Sequence, residues 1–256
     1  MAAIPSTPAP LRALAPSGPD DDPGPAGRDH ERDELVKLLT GEELRAGLLY
    51  GEGGVGKTSL VDALVVPRLR EREVQVLVCA DPLRPGESLA AAMAATGARA
   101  TAGEAPSAFL ARTVASANPG ELFVFVVDDV DRALEGDERP LHELAELYAR
   151  VVGRSAGRAR FLFVCPAERV HLLARLERRT GSLFPPSARV ELGRLPAADA
   201  AAFATTWLAD GGRGDKALGD ALAKDLDRGG VLPLELRLAL VAVRELRLGS
   251  VAGLHR

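Results

Sequence analysis

The chain has 256 residues and a formal net charge of −4, enough length for one sizeable domain plus a small second one, and too acidic a balance for a global basic footprint on nucleic acid. No uninterrupted apolar run, residues 122–127 among them, approaches the length that spans a bilayer, and the N-terminus has no basic stretch leading into an apolar core, which argues against a secretory signal. The two cysteines, Cys79 and Cys165, form no C-x-x-C or Cys/His cluster and read as buried free thiols of a soluble protein in a reducing cytoplasm.

Residues 1–26 carry much of the proline together with Ala, Ser and the acidic run Asp20, Asp21, Asp22. They lack the apolar content to bury a core and are expected to be disordered. Folded structure should open near Gly27-Arg28-Asp29 with a helix over 30–39. A short buried strand over 45–50 (RAGLLY) leads into a glycine-rich loop. A helix over 58–71 follows, with apolar positions at Leu60, Val61, Leu64 and Val65, and Pro67 should kink or stop it. Next come a strand at 74–80, helices at 88–96 and 107–117, and a strand at 122–127 that ends in Asp128-Asp129. A helix at 140–152, a strand at 160–165, a helix at 168–180 and a short strand at 188–192 complete the alternation. Apolar strands alternating with helices indicate a parallel sheet covered on both faces. Beyond Gly193 the strands stop. Helices are expected at 197–209 (closed by Gly211-Gly212), at 217–227 (closed by Gly229-Gly230) and at 233–248, the last with proline in its first turn.

The loop after the first strand is Gly51-Glu52-Gly53-Gly54-Val55-Gly56-Lys57-Thr58, a complete G-x-x-x-x-G-K-[ST] phosphate-binding loop between a strand and a helix, where its chemistry requires it. The glycines let backbone N–H groups turn inward around phosphates, and the following helix, opening Lys57-Thr58-Ser59, adds partial positive charge beneath them. Lys57 can reach the β- and γ-phosphates, and the Thr58 hydroxyl can ligate Mg²⁺. The third strand, LFVFVVDD, has the form of a Walker B element. Ligands bind beyond the carboxyl ends of strands in an open parallel sheet, so Asp128 is placed to hold Mg²⁺ or its hydration shell. Asp129 can polarise the attacking water. The bland alternative is that Asp128, Asp129 and Asp131 only begin a solvated loop. Trp207 reads as a core filler of the C-terminal helices. His142 and His171 lack metal-ligand spacing, and Arg175, Arg178 and Arg179 read as a solvated helix face.

One strand separates the loop strand from the Asp-Asp strand and one follows it, an order that resembles the additional-strand P-loop ATPases, which include AAA+ and STAND proteins. The chain is similar to the nucleotide-binding module of STAND ATPases of the NB-ARC and NACHT kind. Gly27-Arg28-Asp29-His30-Glu31 to Leu35 resembles the G-R-x-x-E-x-x-x-L element on the adenine side. GEGGVGKTSL and Phe123 to Asp129 supply the two Walker motifs. Gly230-Val231-Leu232-Pro233-Leu234 resembles the G-x-P element of the lid, and Val190 to Ala200 the turn into it. The resemblance implies a three-layer αβα P-loop NTPase domain with a five-stranded parallel sheet over 27–192 and a small helical lid over 193–256. It implies ATP or ADP with Mg²⁺ as ligands, Arg28 and Pro233 on the base, and slow hydrolysis coupled to a conformational switch and to self-association or a signalling partner. A polar sensor is expected after the fourth strand, where Arg169 is the candidate and Glu168 its competing partner. The resemblance does not extend to the winged-helix region of the class. The rival readings are an AAA+-type mechanochemical or DNA-handling ATPase, whose arginine finger has no assignable residue here, and a nucleotide-binding scaffold that does not hydrolyse.

Overall fold

A computed structural model of the chain describes residues 27–210 and 216–245. The segment expected to be disordered (1–26), the Gly211-Gly212 stop and the end of the last expected helix lie outside the described residues. The strands are β1 (Ala46–Gly51), β2 (Gln75–Cys79), β3 (Phe123–Val127), β4 (Ala159–Pro166) and β5 (Arg189–Leu192). They form one five-stranded sheet in the order β2-β3-β4-β1-β5. The parallel register sets Ala46 beside Phe161 and Phe123 beside Ala159. The fourth strand in sequence is therefore inserted between the loop strand and the Asp-Asp strand, as the additional-strand class requires.

The helices are α1 (Asp29–Thr40), α2 (Lys57–Leu60), α3 (Val66–Arg70), α4 (Pro85–Ala95), α5 (Pro106–Ser116), α6 (Val130–Leu134), α7 (Glu138–Arg154), α8 (Leu173–Thr180), α9 (Ala197–Asp210), α10 (Lys216–Leu226) and α11 (Pro233–Glu245). Three details differ from the sequence expectation. Pro67 does not end its helix. A wide π turn over Val61–Val65 joins α2 to α3, and the changed pairing accommodates a proline that has no N–H to donate and whose ring crowds the preceding turn. The helix expected from 168 instead opens as a tight 3-10 turn over Ala167–Leu172, directly after Pro166 ends β4. A short helix unforeseen in the sequence, α6, starts directly after Asp129.

The structure comprises two compact units. One comprises Glu31–Glu52 and Val65–Glu191, and the other comprises Gly53–Leu64 with the described residues of Met1–His30 and Leu192–Arg256. The first unit holds the sheet. β3 and β4 are buried throughout apart from Pro166 at the end of β4, as expected of central strands covered on both faces. Side chains two apart share a face, so Phe161 and Phe163 line up, 5.9 Å apart by ring centroid, and Phe125 stacks on Phe161 at 4.8 Å across the β3–β4 pair. Tyr148 of α7 meets Phe161 edge-on at 5.1 Å. On the opposite face Arg160 is buried, with its guanidinium donating to the carbonyls of Gly41, Gly157 and Ala159. Both cysteines are buried free thiols.

The second unit packs α9, α10 and α11 about Ala200, Ala204, Leu208, Leu218, Leu222, Leu236, Leu240 and Val243. The spacings i, i+4, i+8 on α9 and i, i+4, i+7 on α11 are those of one apolar helix face. Gly219 lets α10 approach α9 closely: a Cβ there would lie 2.6 Å from Thr205 Oγ1 and 3.1 Å from its backbone nitrogen. Leu195 and Val231 exchange backbone hydrogen bonds of 2.9 and 2.8 Å, which ties the entry to α9 to the entry to α11. No helix among the described residues is long and apolar enough to cross a membrane.

Candidate nucleotide-binding site

In the second unit the phosphate loop and the C-terminal segment lie together. Gly54 and Gly56 adopt φ of 79° and 94°, a left-handed region open to glycine at little cost. Three successive loop carbonyls are engaged. Gly54 O accepts the Leu234 N–H at 3.2 Å, Val55 O accepts the Arg28 Nη2 at 3.3 Å, and Gly56 O accepts the Leu60 N–H at 2.9 Å, the first turn of α2. Arg28 Nη2 also donates to Gly193 O at 2.6 Å, and the residue is 4% exposed. Pro233 sits over the loop, its Cγ 4.0 Å from where a Cβ on Gly56 would lie. Arg28, Gly54, Val55, Gly56 and Pro233 are thus one cluster. Lys57, Thr58 and Ser59 open the helix, half-buried, and each is engaged with neighbouring groups. Gly53 is exposed, and a Cβ there would meet nothing within 4 Å.

In the first unit β1 ends at buried Gly51, followed by exposed Glu52. β3 delivers Asp128, half-buried, whose Oδ1 accepts the Asp129 N–H at 2.7 Å. That bond fixes the carboxylate plane. Asp129 is exposed, with φ 48° and ψ 40°, a left-handed conformation that Asp tolerates better than most residues. Its carbonyl accepts the Arg132 N–H at 3.0 Å and starts α6. The turn carries Asp131 into the interior. It is 9% exposed, and its Oδ1 has no hydrogen-bond partner. Burial pushes its carboxyl above the ordinary value, the charges of Asp129 and Glu135 push the same way, and Arg169 opposes them. Arg169 lies in the tight turn after β4 and pairs with Glu135 at 2.5 Å, rather than with Glu168, the partner weighed from sequence. Arg175 and Arg179, read as a solvated face, both bind Glu138.

Sequence reasoning singled out the P-loop, Asp128 and Asp129 from local pattern. It weighed Asp131 only as part of a solvated loop, whereas the structure buries it, and it gave no hint of the Leu234 amide, which acts through backbone. Among the described residues no three His, Cys, Asp or Glu side chains gather as a metal cage. Thr58 and Asp128 each carry an oxygen donor of the hard kind that Mg²⁺ prefers.

Comparison with known proteins accords with these features. The novel STAND NTPase 1 profile matches residues 10–247. No curated protein resembles the chain closely enough in sequence to count as a relative. Among solved structures, the Walker-type ATPase PABY2304 of Pyrococcus abyssi superposes with a TM-score of 0.63 at 16% identity, covering 93% of this chain and 71% of that one. The ADP form of the Aeropyrum pernix ORC2 protein gives 0.58 at 16%, covering 93% and 69%. Domain III of the Thermotoga maritima replication initiation protein DnaA gives 0.55 at 16%, covering 88% and 87%. At such identities the likeness is one of fold, the P-loop NTPase fold. With a family profile spanning nearly the whole sequence, a complete P-loop and the additional-strand sheet order, the chain belongs to the novel STAND NTPase 1 family of P-loop NTPases.

Proposed function

We propose that this protein is a nucleotide-operated switch that binds ATP or ADP with Mg²⁺, hydrolyses ATP slowly, and signals through nucleotide-controlled conformational change and self-association or partner binding in the cytoplasm. The observation that carries the reading is the seating of the Leu232-Pro233-Leu234 turn on the phosphate loop, through the Leu234 amide and the Gly54 carbonyl. A C-terminal helical lid over 193–256 that touches the loop itself has the means to respond to what the loop holds.

In this reading the loop residues Gly51 to Gly56, with Ser59, wrap the phosphates in backbone amides, and Lys57 neutralises them. Thr58 and Asp128 would hold the metal, which would supply positive charge to neutralise the phosphates. Asp129 orients the attacking water. Arg169 senses the γ-phosphate by exchanging Glu135 for it. Pro233 closes on the base, beside Arg28.

The test is to purify the protein, denature it and identify released nucleotide by chromatography, with Lys57→Ala alongside. Near-stoichiometric ADP that is absent from the variant supports the switch. Rapid turnover of added ATP without retained nucleotide would replace it with a mechanochemical ATPase, and retained nucleotide with turnover untouched by Asp129→Asn would leave a scaffold.

A further inference from the structure

We infer that Arg28 is a positioning residue for phosphate binding, acting with the Leu234 amide to set the direction of the loop's backbone N–H groups rather than reading the base. The inference rests on the nucleotide-binding reading above and gives this residue a part in it that the resemblance does not assign.

In a planar trans peptide the C=O of one residue and the N–H of the next point in opposite directions. Fixing the carbonyl of Gly54 therefore fixes the amide of Val55, and fixing the carbonyl of Val55 fixes the amide of Gly56. The Gly54 carbonyl is held by the Leu234 N–H at 3.2 Å, and the Val55 carbonyl by Arg28 Nη2 at 3.3 Å. The next carbonyl, Gly56 O, is held by the Leu60 N–H at 2.9 Å, which directs the Lys57 amide. Three successive carbonyls are held, so the orientations of the three following amides are set. Successive N–H groups facing one side form an anion-binding nest. One amide of the three is set by α2 itself, one by Arg28 and one by the C-terminal segment.

Arg28 suits the role. Its Nη2 carries two hydrogens, and both are committed, one to Val55 O and one to Gly193 O at 2.6 Å. A planar guanidinium can hold two carbonyls in a fixed relation, which an ammonium cannot do as rigidly. Because Gly193 opens the C-terminal segment, the same residue joins that segment to the loop, and Leu234 joins it again. Phosphate binding and the seating of the Pro233–Leu234 turn are therefore coupled without the base. By reciprocity, whatever seats the turn tightens phosphate binding by the same factor.

The test uses the full chain, Mg²⁺, and two probes: ATP and inorganic tripolyphosphate, which has no base. Affinities are measured by calorimetry for wild type, Arg28→Met and Arg28→Lys, with thermal melting as the fold check. We expect Arg28→Met to weaken both probes by the same factor, on the order of 10-fold, and Arg28→Lys, which keeps a donor for one carbonyl, to recover part of the loss on both. If Arg28→Met does not fold, Arg28→Lys alone carries the comparison, with an equal loss on both probes expected. Loss confined to ATP would overturn the inference in favour of a contact with the base, and unchanged affinity for both would overturn it outright. Wild type that binds ATP but not tripolyphosphate would refute the pre-set nest and leave the proposed function standing; wild type that binds neither would remove both.

Discussion

Gly54→Ala tests whether the phosphate loop and the Pro233–Leu234 turn are built as described. Two costs add. Gly54 has φ 79°, and an L-residue held in the left-handed region costs about 1–2 kcal/mol. The new methyl would also lie 3.0 Å from Leu234 Cβ and 3.1 Å from Leu234 Cδ2, well inside the 3.5–4.0 Å of an ordinary carbon contact. Leu234 sits in the first turn of α11 and cannot retreat without drawing its amide off the Gly54 carbonyl, so relief of the clash adds about 1 kcal/mol. The sum, about 2–3 kcal/mol, should lower the melting temperature by roughly 5–10 °C for a chain of this size. Gly53→Ala is the control: a Cβ there meets nothing within 4 Å, and the cost should stay within about 0.5 kcal/mol. Thermal and urea unfolding of the two variants beside wild type decide the matter. Equal melting temperatures for Gly54→Ala and Gly53→Ala would refute both the left-handed loop conformation and the seating of Leu234.

Three further outcomes follow from single side chains. Asp131 has a carboxyl raised by burial, so the folded state binds its proton more tightly than the unfolded chain, and stability is lost as pH rises from the ordinary carboxylate range through the folded value; Asp131→Asn should therefore be more stable than wild type at pH 7, by about 1 kcal/mol, with the gain vanishing near pH 4 in denaturant titrations. Glu104 is held down to about 2, first by the hydrogen bond from Arg112; its contribution is present above the ordinary carboxylate range and lost as pH falls towards 2, and in Arg112→Ala its NMR titration should move most of the way back to the ordinary 4.5. Arg160 keeps its charge despite burial that lowers its pKa to about 10, because it serves the carbonyls of Gly41, Gly157 and Ala159. Arg160→Met should cost about 2–4 kcal/mol by urea unfolding and leave the stoichiometry of bound nucleotide unchanged.

Elements and motifs that depend on neighbours in sequence were legible without coordinates. The P-loop is a local backbone device, and its glycines and Lys57-Thr58 announce it. The central strands are apolar runs of five or six residues, and the five found lie within a residue or two of the expected ranges. Boundaries slipped where a local rule met a local exception. Proline normally closes a helix, but a π turn let Pro67 stay inside one. The turn after Asp129 was hidden because its left-handed residue is an aspartate rather than a glycine.

Chain order and hydrophobic period thus determined the alternating α/β architecture, the phosphate loop and the Walker B strand, because each is specified by residues within one or two turns of one another. Tertiary structure alone decided what those residues meet. Insertion of β4 between β1 and β3 depends on β1 pairing with a strand more than 100 residues away. Asp131 is buried, and the ion pair of Arg169 with Glu135 spans 34 positions. The grip of Arg28 on Val55 and Gly193 joins three separate stretches of chain, and the Leu234 amide reaches Gly54 through backbone that no side-chain pattern records. Contacts between distant segments form only when the core brings them together, so they leave no periodic trace in the sequence.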